Sequence, residues 1–211
     1  MRRSIRRFAT LLAIATVAVQ APAFAHHVMG GELPQTFLQG FLSGLGHPVI
    51  GLDHLGAIVG VGILAALARR GVGPLFAFSL ALIAGVTLHL AKANVPAGEL
   101  LVGLSTLAIG GLVALRQPMR LTVAVALFAI AGVIHGYALG ESIVGAEPAP
   151  LWAYLAGLLI IQTVLGLAAF AAVSNLVRWP ALLRTAGLTV VGILVALAGG
   201  VTAAYAAGLV T

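Results

Sequence analysis

The chain has 211 residues, 61% of them hydrophobic and only 8% charged, with a mean hydropathy of +1.15. So much apolar surface exceeds what one soluble core of this length can bury, which excludes an ordinary soluble globule. The formal charge of +6 points towards nucleic acid only until its distribution is read, because Arg2, Arg3, Arg6 and Arg7 supply four of the eleven basic residues.

Those four arginines precede an apolar stretch from Phe8 to Val19, which leads to Pro22 and the small-x-small triplet Ala23-Phe24-Ala25. This order predicts a secretory signal peptide over residues 1–25, cleaved between Ala25 and His26. Cleavage leaves residues 26–211 as a single transmembrane domain with a charge of +2, so the basic balance is mostly an address label and no nucleic-acid partner is expected. With no cysteine, a disulfide framework and a thiolate metal site are both excluded.

Between the cleavage site and the first long apolar run, the stretch from Pro34 to Leu45 is too short to cross a bilayer. It predicts an interfacial or re-entrant helix ending at Gly44-Leu45-Gly46. Pro48 suits the first turn of the next helix, which puts His47 at or near its N-cap. Apolar runs bounded by Gly, Pro and charge then predict about six transmembrane helices, near 49–68, 73–92, 97–115, 119–140, 150–174 and 184–210. The fold class is all-α, a polytopic membrane helix bundle.

Charge sets the orientation. With His26 outside, span one ends inside at Arg69-Arg70; Arg116, Arg120, Arg178 and Arg184 fall on that same side, and only Lys92 falls outside. The predicted topology is N-out/C-out, in a bacterial inner membrane. Small residues such as Gly60-Val61-Gly62, Gly110-Gly111 and Gly199-Gly200 suit close helix packing in lipid.

The same threading puts all six histidines on the outer side. His26 and His27 open the mature chain, where a free amine beside imidazoles makes a divalent-metal chelate. His47 and His54 flank the start of span one, His89 lies late in span two, and His135 lies late in span four with Glu141 six residues on. Polar groups are expensive in a membrane and commonly face a partner, a cavity or an ion. His47 and His54 lie roughly 10 Å apart along an ideal helix and cannot share one ion unless the backbone breaks near Gly51. A common site therefore needs several helices: Asp53 or His54, His89, His135 and Glu141. Imidazole with carboxylate suits Ni²⁺, Co²⁺, Zn²⁺ or Fe²⁺.

Each residue also has a structural reading. Asp53 caps a helix, ligates, or does both; His89 is a ligand or a buried histidine bonded to a neighbouring helix. Gln162 and Asn175 line a path or make hydrogen bonds. Two other function classes fit parts of the pattern: a haem-binding electron-transfer subunit using His54, His89 or His135 as axial ligands, and a metal-binding accessory subunit that does not transport. For an intramembrane hydrolase there is no Gly-x-Ser-x-Gly, and Ser105, in Gly103-Leu104-Ser105-Thr106, has no evident base.

The segment His47-Pro48-x-x-Gly51-x-Asp53-His54, continuing to Val61-Gly62, resembles the signature of the HupE/UreJ family of nickel and cobalt permeases. His135-Gly136-Tyr137-Ala138-Leu139-Gly140-Glu141 is similar to that family's other motif. The resemblance implies a non-enzymatic permease for Ni²⁺ or Co²⁺ as transported ion, with no tightly bound cofactor. It also implies His47, Asp53, His54, His135 and Glu141 as the functional set. The metal would supply hydrogenase, urease or cobalamin synthesis. Many members carry a second histidine where this chain has Leu139 and a methionine where it has Ile58.

Overall fold

The computed structural model describes residues 32–69, 71–178 and 180–210. The predicted signal peptide, with His26 and His27, lies outside the described residues. The described chain is helical: α1 Phe37–Ile50, α2 Leu52–Ala68, α3 Gly73–Leu90, α4 Gly98–Ala114, α5 Leu121–Gly140, α6 Pro148–Asn175 and α7 Ala181–Ala206. Short 3-10 turns at Glu141–Ile143 and Leu176–Arg178 follow α5 and α6.

Local sequence explains where the helices start. Thr36 and Gln39 form a reciprocal capping box at the head of α1. Pro74 and Pro148 occupy the first turns of α3 and α6, where a missing N–H costs nothing. Among the described residues, α3, α5 with its 3-10 turn, α6 and α7 are each long and apolar enough to cross a membrane. The pair α1–α2, bent by 79°, makes a fifth candidate span. The expected third span, α4, is apolar but only 17 residues long.

The start of span one differs from its expected form. The first helix does not end at Gly44-Leu45-Gly46; it runs through Pro48 to Ile50, so His47 stands in the last turn of α1 rather than at an N-cap. A proline there forfeits only its own amide bond, and the Gly51 N–H still donates to the His47 carbonyl at 3.1 Å. The chain breaks at Gly51, which is extended (φ −72°, ψ 103°), and Asp53 two residues on receives a freed amide of the new helix.

Three close helix pairs surround α2, which is buried along most of its length. They are α3 with α5, α4 with α7, and α1 with α6. Glycine makes each possible. Gly110 and Gly103 of α4 lie against the backbone of Ala196 and Ala203 of α7, while Gly192 and Gly199 of α7 lie against Ala114 and Leu107. Gly136 of α5 abuts the Leu82 carbonyl of α3, and Gly44 of α1 abuts that of Tyr154 of α6. A Cβ at any of these positions would meet backbone, which cannot swing away. Gly111, by contrast, has open space around it.

Gly110→Ala is therefore expected to destabilise by about 1–3 kcal/mol through overpacking. Gly111→Ala is expected to be neutral or slightly stabilising, by up to about 1 kcal/mol from helix propensity. Thermal unfolding of the two variants in detergent checks the difference, and equal midpoints would contradict this packing.

Candidate metal site

The break at Gly51 turns two sequence-adjacent segments into facing walls. His47 at the end of α1 and His54 in the first turn of α2 come within 6.5 Å between ring centroids, edge to face. This is the backbone break that sharing between these two imidazoles required. Asp53 also sits in the first turn of α2, with its carboxylate Oδ1 accepting the His54 backbone N–H at 2.7 Å. Its Oδ2 accepts the hydroxyl proton of Thr202 on α7 at 3.1 Å. Asp53 thus places a carboxylate in the first turn of its own helix, where negative charge is favoured, and ties α2 to α7.

His54 and His135, 81 positions apart in sequence, meet directly. Their Nδ1 atoms lie 2.8 Å apart and their rings are edge to face at 4.9 Å. On its far side, His135 Nε2 lies 3.0 Å from the Ser105 hydroxyl and 3.4 Å from that of Thr106. The Phe78 ring packs against the imidazole at 6.0 Å. Asp53, His54 and His135 are 3%, 7% and 1% exposed, so these polar groups are removed from bulk solvent and must satisfy one another.

One self-consistent set of hydrogen-bond directions starts from the carbonyl acceptors. Ser105 donates to the Val102 carbonyl at 2.9 Å and Thr106 donates to the Asp53 carbonyl at 3.2 Å. Each hydroxyl has one hydrogen, so both present an oxygen lone pair to His135 Nε2. In that set His135 is the Nε2–H tautomer with a bare Nδ1. His54 Nδ1–H then donates to it, and His54 Nε2 carries a lone pair. A cation can engage His54 Nε2 without breaking this chain; to use His135 it must displace the proton between the two Nδ1 atoms.

The other expected ligands stand apart from this pair. His89 Nδ1 lies 2.8 Å from the Tyr137 carbonyl, and its ring stacks at 4.5 Å on that tyrosine. It is the histidine bonded to a neighbouring helix, α3 to α5. Glu141 is exposed at the start of the 3-10 turn. Among the described residues, no three His, Cys, Asp or Glu side chains are grouped closely enough to hold a metal ion.

Sequence reading missed Thr106 and Thr202, which bond the Asp53 carbonyl and carboxylate, and it found no partner for Ser105. Ser105 has His135 beside it, contrary to the expectation of no evident base. With these hydrogen-bond directions the hydroxyl proton goes to a carbonyl and the imidazole donates, which is not the arrangement of a nucleophile–base pair. The available signal was depth: Ser105-Thr106 is a polar pair in the middle of a helix that is apolar beyond Glu99 in its first turn. Gln162 donates through Nε2 to the Ser79 carbonyl at 3.4 Å, and Asn175 bonds only within its own helix, to Ala171.

A helical bundle with several membrane-length apolar elements, built around a buried histidine pair and a carboxylate, defines a polytopic membrane protein with a metal-type donor set. Residues 14–210 match the HupE / UreJ protein family, and the chain belongs to it. It is 30% identical over 150 residues to Protein HupE of Rhizobium leguminosarum bv. viciae, covering 70% of this chain and 75% of that one. No solved structure matches the chain. Membership agrees with the expectation of a membrane protein that is not an enzyme.

The tautomer assignment has a direct test. In ¹⁵N spectra of the purified protein, His135 is expected to carry its proton on Nε2 and His54 on Nδ1. Ser105→Ala with Thr106→Val removes both Nε2 acceptors and is expected to shift the His135 signals most. The reverse tautomers would contradict the assignment.

Proposed function

We propose that this chain is a permease for a divalent transition metal, nickel or cobalt, in a bacterial inner membrane. One observation carries the reading: His54 from the first family motif and His135 from the second, distant in sequence, meet as a buried pair beside Asp53. In this reading residues 26–211 form one membrane unit, with α1–α2 as the first crossing and α4 completing six, N-out and C-out. The basic residues beyond the signal segment support that orientation, since Lys92 alone falls outside.

The metal is captured from the outer side by Glu141, His89 and the amino-terminal His26 and His27, and reaches His47 and His54 at the helix break. Asp53 holds negative charge there against the incoming cation. His54 Nε2 supplies the first inner ligand, and exchange of the bridging proton brings in His135. Ile58 and Leu139, where many family members carry methionine and histidine, are both buried and apolar here, so the available donors are nitrogen and oxygen. That set suits Ni²⁺ and Co²⁺ alike.

A bis-histidine haem has less support. It needs the two imidazoles on opposite faces of a macrocycle, whereas the His54 and His135 nitrogens are in hydrogen-bond contact and His89 is turned to a carbonyl.

Flux of Ni²⁺, Co²⁺, Zn²⁺ and Fe²⁺ into proteoliposomes tests the proposal. Nickel or cobalt is expected to enter, and His54→Ala, His135→Ala or Asp53→Ala to cut entry by at least about tenfold, the scale on which disturbed metal sites lose affinity or activity. His89→Ala is expected to have a smaller effect. Metal binding with no entry above empty vesicles would instead assign an accessory role.

A further inference from the structure

Two buried oxygens on one side of the histidine pair have no assigned role. Ser79 of α3 and Gln162 of α6 are each 1% exposed, and Gln162 Nε2 reaches the Ser79 backbone carbonyl at 3.4 Å. Their other polar atoms, Ser79 Oγ and Gln162 Oε1, are buried without a hydrogen-bond partner among the described residues. The interhelical contact therefore uses the amide nitrogen alone. An apolar residue with an intact backbone would leave no such debt, because an unmade buried hydrogen bond is the expensive kind.

The location links these oxygens to the site. Ser79 follows Phe78, whose ring packs on His135. On α6, Gln162 lies one turn before Gly166, which in turn faces Gly62 of α2. Gly62 is eight residues beyond His54, so Gln162 is level with a point about 6 Å along α2 from His54. The oxygens thus lie one helical turn deeper than the histidines, on the side away from the break.

The geometry points to Ser79 Oγ and Gln162 Oε1 as a second, all-oxygen binding position for the divalent cation, which receives it after the histidine pair. This rests on the permease reading. The chemistry fits a release step: a hydroxyl and a carboxamide are neutral and bind such metals more weakly than imidazole does. They also accept hydrogen bonds from waters that a partly hydrated ion retains. A path needs positions that hold the ion and then let it go.

The test separates oxygen from amide nitrogen. Ser79→Ala removes an unpartnered hydroxyl and keeps the carbonyl that Gln162 binds; Gln162→Leu removes both functions; Gln162→Glu keeps an acceptor oxygen. Each full-length variant is measured for Ni²⁺ entry into proteoliposomes, for equilibrium Ni²⁺ binding in detergent, and for thermal unfolding. Ser79→Ala and Gln162→Leu are expected to slow entry by about tenfold and to lose a weaker class of bound Ni²⁺ that His135→Ala retains. Gln162→Glu is expected to keep both. Normal entry and binding in Ser79→Ala and Gln162→Leu, with only the unfolding midpoint lowered in the latter, would reduce the pair to an interhelical tether and overturn the inference. If wild type binds Ni²⁺ in two classes but admits none, the permease reading fails and the second position stands. If only one class is found and it is unaffected by these variants, the second position fails whatever the flux.

Discussion

A helix that breaks inside an apolar environment must find partners for the backbone groups it frees, and the break at Gly51 is where this protein meets that demand. The Gly51 amide returns to the His47 carbonyl, the Gly51 carbonyl takes the Leu55 amide at 2.8 Å, and the Asp53 carboxylate takes the His54 amide. Irregular backbone in a membrane-spanning segment is tolerated where protein buries it; Gly51 is buried, and α2 as a whole packs against α6, α4 and α7. The satisfied break in turn points His47 and His54 towards each other and leaves Asp53 reaching across to Thr202. Without the bend, the two imidazoles would stack along one rod and the carboxylate would have no helix end to neutralise.

The same demand runs through the rest of the site. His135 is held on both ring nitrogens, by His54 and by the Ser105 and Thr106 hydroxyls, whose own protons end on carbonyls of α4 and α2. No group in this chain can turn without undoing a neighbour's bond. That gives the site an ordered resting arrangement, and in the proposed permease the bridge between the two Nδ1 atoms is where a cation would compete with a proton.

Much of this was legible in the residues. Apolar runs between Gly, Pro and charge mark α3 to α7 to within a few positions, because helix length in such segments follows from hydropathy and simple stop signals. Polar cost and the two motifs led to the expectation of a shared site drawing on Asp53 or His54, His89, His135 and Glu141, of which His54 and His135 meet directly. The bend was harder. Pro48 reads as a helix start, yet its ring fits the last turn of α1, and only Asp53 as recipient of an amide shows where the new helix begins. Thr106 and Thr202 carry no spacing signal, since a hydroxyl in an apolar helix usually bonds its own backbone. His89 illustrates the converse: its position near one end of α3 matches that of a ligand, while its bond to Tyr137 depends on a neighbour that sequence order does not reveal.

The glycine seams give the donor atoms an unusual kind of support. His135 stands on α5 beside Gly136, whose backbone rests on that of α3, and Ser105 stands on α4 between Gly103 and Gly110, whose backbones rest on α7. Main chain against main chain has no rotamers with which to yield, so these walls act as fixed jaws. In the proposed permease, an ion too large for the gap would gain room only by swinging imidazoles, while one too small would be left under-coordinated. Discrimination by ionic radius would then be set by where glycine occurs in the seams, at residues outside the donor set.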